Sequence, residues 1–137
     1  MDTRGQHLLA EYYGCPTALL DDEAAIEELL NRAAVAAGAT VVASVFHRFS
    51  PQGVSGVVVI EESHLSVHTW PEGGYAAVDF YTCGDCSPGK AHEVLAQTLS
   101  PERSELLVVE RGLGPGRSIG IAEHRHTPQL AQASNEG

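Results

Sequence analysis

The stretch from Val54 to Trp70 constrains the fold more than any other part of the chain. Val54–Ile60 is nearly all apolar, and His64–Trp70 alternates polar with apolar residues. The first pattern reads as a strand central in its sheet, the second as a strand with one wet face. Turn residues bound the pair: Ser50-Pro51-Gln52-Gly53 before it and Pro71-Glu72-Gly73-Gly74 after it. A chain with such a pair needs a sheet with a packed layer against it.

The flanking sequence supplies that layer. His7–Tyr13 reads as a strand closed by Gly14. Asp21 or Asp22 is placed to cap a helix whose apolar stripe is Ile26, Leu29, Leu30, Ala33, Ala34 and Ala37, with Gly38 ending it in a left-handed conformation. Thr40–His47 and Tyr75–Thr82 read as further strands. Ser87-Pro88 starts a second helix with stripe Ala91, Val94, Leu95 and Leu99, and Glu105–Glu110 is a last strand. The order β-α-β-β-β-β-α-β predicts an α+β protein: a two-layer α/β sandwich, mostly antiparallel, with both helices on one face. The other sheet face needs a cover, and a homodimer is one way to supply it. Residues 1–113 form the predicted single domain. From Arg111 on, Gly, Pro, His and Gln dominate, so 114–137 is predicted to be a loosely ordered tail.

Composition narrows the partners. The 137 residues carry 18 Asp and Glu against 8 Lys and Arg, a formal charge of −10. Nucleic acid and anionic membrane both call for basic surface, so neither is expected. The longest largely apolar stretch, Val41–Phe46, is about six residues and is interrupted by Ser44, against the roughly twenty a helical span needs. The polar N-terminus has no apolar h-region, which predicts a cytoplasmic protein whose Cys15, Cys83 and Cys86 are thiols.

The densest polar cluster is Glu61–Glu72. On a strand, His64, Ser66, His68 and Trp70 share one face. His64 and His68 would lie about 13 Å apart at about 3.3 Å per residue, too far to share one ion, and His124 and His126 fall in the predicted tail; no metal site is expected. Cys83-Gly84-Asp85-Cys86, between a strand and a helix, has the setting of a thiol redox module, or of two cysteines in a tight turn. Ser63 supports a different chemistry. A serine at a strained turn can attack the carbonyl before it, giving an ester at Glu62–Ser63. Elimination would then cut the chain and leave a dehydroalanine that hydrolyses to a pyruvoyl group. Ser55, Ser66 and His68 are candidate assistants. Spacing alone does not single out this route.

The stretch Phe46-His47-Arg48-Phe49-Ser50-Pro51-Gln52-Gly53-Val54-Ser55-Gly56-Val57-Val58-Val59-Ile60, then Glu62-Ser63-His64-Leu65-Ser66-Val67-His68-Thr69-Trp70-Pro71-Glu72 and Asp79-Phe80-Tyr81-Thr82-Cys83-Gly84, closely resembles the small prokaryotic S-adenosylmethionine decarboxylases. The segment Gly5–Cys15 also looks like that family's N-terminus, so the resemblance runs over roughly residues 4–110. It implies a self-generated pyruvoyl group from Ser63, with cleavage into chains 1–62 and 63–137, and a Schiff base between that group and the substrate amine. It implies that Ser55 and His68 assist processing and that Cys83 protonates the product carbon. It implies that Phe49 stacks on adenine and that Glu72 holds the ribose hydroxyls, with Trp70 beside them. The implied assembly is a homodimer with active sites at its interface. The implied product is the aminopropyl donor for spermidine synthesis.

Four features depart from the family pattern: Gln52 where an aromatic is common, a loop after Cys83 that is about a residue short and carries Cys86, no Trp after Pro88, and an unfamiliar tail. Some members of the wider family look repurposed for L-arginine or L-ornithine. Phe49, Trp70 and Glu72 favour the nucleoside substrate, although Glu72 could equally pair with a guanidinium or ammonium.

Overall fold

The computed structural model describes residues 2–127. Its elements run β1 (Gly5–Tyr13), α1 (Thr17–Leu20), α2 (Glu23–Ala36), β2 (Val41–Arg48), β3 (Val54–Ile60), β4 (Ser63–Trp70), β5 (Tyr75–Cys83), α3 (Pro88–Leu99), β6 (Arg103–Arg111) and β7 (Gly120–Thr127). The strands form one antiparallel sheet in the order β2-β3-β4-β5-β1-β6-β7. Helix α2 packs on β2, β3, β4 and α3, and α3 packs on β1, so both long helices cover one face. The expected two-layer α+β sandwich is the observed one.

Alternation decides which side chains meet the helices. Leu8, Ala10 and Tyr12 of β1, Leu65 and Val67 of β4, and Val78 and Phe80 of β5 are buried. They pack in one core with Ile26, Leu29, Leu30, Ala33 and Ala34 of α2 and Ala91, Leu95 and Leu99 of α3. Asp22 is the residue that caps α2, accepting from the Ala25 amide at 3.0 Å. At the other end Gly38 takes φ +90°, and the Gly38 and Ala39 amides donate to the Val35 and Ala34 carbonyls, which makes a Schellman turn.

The antiparallel register lines up side chains across the open face. Val59, His64, Tyr81, His7 and Val109 form one row. Ser55, His68, Ala77, Glu11 and Glu105 form another, four residues further along the strands.

One glycine is needed for close approach. A Cβ on Gly56 would sit 2.0 Å from Cδ2 of Phe46, its cross-strand partner. Gly56→Ala should displace that ring and destabilise the fold by about 1–3 kcal/mol. Thermal unfolding checks this: the variant melts several degrees lower, and an unchanged melting temperature would contradict the packing described.

Two elements differ from the sequence expectation. The single turn α1 packs beside the short 3-10 turn Pro71–Gly73, and four residues are too few to show a helical period. Part of the predicted loose tail is the edge strand β7, paired with β6 from Ser104↔Thr127 to Glu110↔Gly120. Its residues are mostly exposed on both faces, so main-chain pairing rather than apolar alternation defines it. Residues 128–137 of that predicted tail lie outside the described residues.

Candidate active site

Strands β3 and β4 are joined by the two-residue turn Glu61-Glu62, with Ile60 opposite Ser63. Ser63 has φ +144°, a conformation that a residue with a Cβ adopts at a cost of about 1–3 kcal/mol. The carbonyl just before it is held from the other side. Glu62 O accepts from the Cys83 amide at 3.2 Å and from the Cys83 thiol at 3.3 Å. Pairing of β4 with β5, Ser63 opposite Thr82, puts Cys83 there. Two donors on one carbonyl are suited to an oxyanion formed when a nucleophile adds to that carbon. The thiol opens on a cavity of about 420 Å³ lined by Gly5, Thr82, Cys83, Gly84, Asp85 and Cys86, among others. Cys15 is elsewhere, in the core, where burial pushes its thiol up to about 11.

The other predicted residues gather at the far end of the same hairpin. Ser55 Oγ and His68 Nδ1 are 2.6 Å apart across β3 and β4. With Phe49, Gln52, Thr69, Trp70 and Glu72 they line a cleft of about 450 Å³. Asp21 fixes the turn that presents Phe49: its carboxylate accepts from Gly53 N at 2.8 Å and from Arg48 Nη2 at 2.7 Å. Trp70 is 44 % exposed and stacks on Tyr75 at 5.2 Å between ring centres, so its ring belongs to the open surface and not to the core.

The structure therefore brings the predicted residues together as two groups. Ser63, Glu62 and Cys83 form one, and Ser55, His68, Phe49, Trp70 and Glu72 form the other. Ser63 and His68 are five residues apart on one strand, about 17 Å at 3.3–3.4 Å per residue. No side chain spans that distance.

Between the two groups lies a polar network that holds Ser66, a candidate assistant, and His64, and joins them to His7, Asp79 and Arg111, to which the sequence analysis gave no role. Asp79 Oδ2 is 2.6 Å from His7 Nε2 and 3.3 Å from His64 Nε2, and its other oxygen accepts from Ser66. Arg111 Nη1 donates to His7 Nδ1 at 3.0 Å, and its guanidinium lies over the Tyr81 ring. Partial burial pushes the Asp79 carboxyl up, but bonds from Ser66, His7 and His64 outweigh it and hold the group below its ordinary value. With a guanidinium beside His7, the network suits proton exchange better than a cation. A carboxylate inside the otherwise uncharged strand Tyr75–Thr82 was the available sequence signal. His64 joins this network through Asp79, four residues along β4 from His68. His124 and His126, expected in the tail, are on β7, where His124 Nε2 is 2.7 Å from Glu105.

A solved structure described as the adenosylmethionine decarboxylase from Aquifex aeolicus superposes on the chain with a TM-score of 0.77 at 41 % identity, covering 86 % of this chain and 98 % of that one. With this similarity the sandwich belongs to a decarboxylase. The family model described as S-adenosylmethionine decarboxylase matches residues 6–112. An S-adenosylmethionine decarboxylase proenzyme of Thermotoga maritima is 53 % identical over 124 residues, 90 % of this chain and 94 % of the relative. One of Caldanaerobacter subterraneus is 52 % identical over 114 residues, 82 % and 92 %. The chain belongs to the S-adenosylmethionine decarboxylase family.

Proposed function

We propose that the chain cuts itself between Glu62 and Ser63, turns Ser63 into a pyruvoyl group, and decarboxylates S-adenosylmethionine in a homodimer whose sites each draw on both chains. The observation that carries this reading is the strained Ser63 next to a carbonyl gripped by Cys83. Addition of Ser63 Oγ to the Glu62 carbonyl carbon relieves the strain, and the Cys83 N–H and thiol are aimed at the oxygen that becomes negative. The residues present fit a serine-derived group at this position.

A pyruvoyl group, once formed, supplies an electron sink for the carbanion left by CO2. The remaining work falls to side chains. The Cys83 thiol is placed to return a proton. Phe49 and Trp70 offer flat faces to a purine, and Glu72 accepts from ribose hydroxyls. The same three residues give an aliphatic arginine or ornithine substrate little to stack on. The product would serve as an aminopropyl donor in spermidine synthesis. No described helix is long and apolar enough to cross a membrane, and a cytoplasmic setting suits this metabolism.

The separation of the two groups supports the homodimer. A second chain laid antiparallel on the open face brings its own Ser55–His68 cleft to the first chain's Ser63. Leu9, Val45 and Val59 on that face are exposed large apolar residues that such contact would cover.

Intact-mass analysis of the purified protein tests the reading. Two chains, 1–62 and 63–137, are expected, the second with a blocked N-terminus and a ketone reducible by borohydride. One uncut chain would overturn it. Glu72→Gln should raise KM for S-adenosylmethionine about tenfold with little change in kcat, since ribose binding is equal in ground and transition states. An unchanged KM would remove Glu72 from the pocket.

A further inference from the structure

Ser63 Oγ lies 3.2 Å from Nδ1 of His64, the next residue, and His64 Nε2 faces Asp79 Oδ2 at 3.3 Å. Serine, imidazole and carboxylate stand in line. The surroundings fix the protons. Arg111 can only donate, so His7 Nδ1 accepts from it and His7 Nε2 carries the hydrogen that goes to Asp79. The Asp79 carboxylate, an acceptor toward Ser66 and His7, takes the His64 Nε2 hydrogen as well. His64 Nδ1 is then left with a lone pair directed at Ser63. The Ser55–His68 pair is on the same strand about 17 Å away, out of reach of this hydroxyl in one chain.

We propose that His64, oriented by Asp79, is the base and then the acid of the first step of self-cleavage, the shift of the Glu62 acyl group from nitrogen to oxygen. This rests on the self-processing reading above. The Ser63 Oγ–H proton passes to His64 Nδ1 as the oxygen bonds to the Glu62 carbonyl carbon. The imidazolium gives the proton to Ser63 N as the C–N bond breaks. An amide becomes an ester plus an amine, with no co-reactant and no change of oxidation state. The later removal of the Ser63 α-hydrogen, which expels the Glu62 carboxylate, is a separate step left to Ser55 and His68. His64 touches the reacting atom and is catalytic; Asp79 acts through it and is a positioning residue.

The test uses the full chain made by cell-free translation, with cleavage followed over time and folding followed by circular dichroism. Wild-type chain must cut; if it does not, the self-processing reading fails first. His64→Ala is expected to cut about 100-fold more slowly, and added imidazole should restore part of the rate. Its uncut chain should be inert to hydroxylamine because no ester has formed. The uncut chain of His68→Ala should hold the ester and be cut by hydroxylamine. Asp79→Asn should slow cleavage less than His64→Ala and respond weakly to imidazole. If His64→Ala folds poorly, His64→Asn decides, since it keeps a polar atom near the Nδ1 position without the basicity. Cleavage of folded His64 variants at the wild-type rate, or ester accumulating in them, would overturn the role of His64 and leave self-processing intact.

Discussion

Ser63→Ala should leave the chain whole. Alanine can occupy the same strained φ of +144° that serine does, so the turn and its hydrogen bonds to Cys83 survive. The substitution removes one oxygen. In the proposed self-cleavage that oxygen is the nucleophile, and no neighbouring group replaces it: Glu62 turns its side chain to the Thr40 amide, and Cys83 holds the carbonyl oxygen rather than facing the carbon. Cleavage should fall below detection, and decarboxylation with it, because the group that serves as electron sink is never made. Gel electrophoresis and a decarboxylation assay on the same preparation check both. A normally cut alanine variant would mean that the bond is broken by some other route.

The second large effect concerns assembly. Cys83→Ala and His68→Ala should each lose about 100-fold or more in decarboxylation when prepared alone. Co-expressed, they should recover activity. In a mixed dimer one site inherits both substitutions, and the other pairs the intact Cys83 of one chain with the intact His68 of its partner. Random pairing makes about half the dimers mixed, so recovery should approach about a quarter of wild type. Recovery near zero would mean that each site is built from one chain, contrary to the separation of about 17 Å along β4. Sedimentation of the wild-type protein as a dimer is a necessary companion result.

Much of this was readable in the sequence because burial dictates it. The stripes of α2 and α3 and the alternating β4 bury what their periods predict, Val94 in part, since a helix and a strand leave different footprints in the order of apolar residues. Strand β3 does not: its apolar run reads as a central strand, yet it lies next to the edge strand β2 and leaves Val59 exposed on the open face. A cap at Asp21 or Asp22 and the turn at Gly38 rest on local backbone chemistry and were legible for the same reason, with the structure selecting Asp22. Strand β7 was not. It lies at a sheet edge with both faces mostly exposed, and its main-chain hydrogen bonds to β6 leave no mark on side-chain order.

The site divides in the same way. Ser63, Cys83, Ser55, His68 and the residues around Phe49 came from the resemblance of a long motif, and the fold places them in two groups where the sequence suggested one. A linear motif cannot show how far apart the fold holds its two ends. The link among His7, His64 and Asp79 was hidden because it joins three strands through register: His7 meets Tyr81, Asp79 meets Ser66, and His64 bridges the rows. Asp79 in an apolar strand was the one trace of it, since a lone carboxylate there needs partners.

The most direct measurement of the central claim is CO2 release from carboxyl-labelled S-adenosylmethionine, run beside labelled L-arginine and L-ornithine. Release is expected from S-adenosylmethionine alone, lost on treatment with borohydride in the presence of substrate. Release from arginine or ornithine with none from S-adenosylmethionine would contradict it, keeping the scaffold and the cut at Ser63 but showing that the cleft of Phe49, Trp70 and Glu72 reads a different side chain.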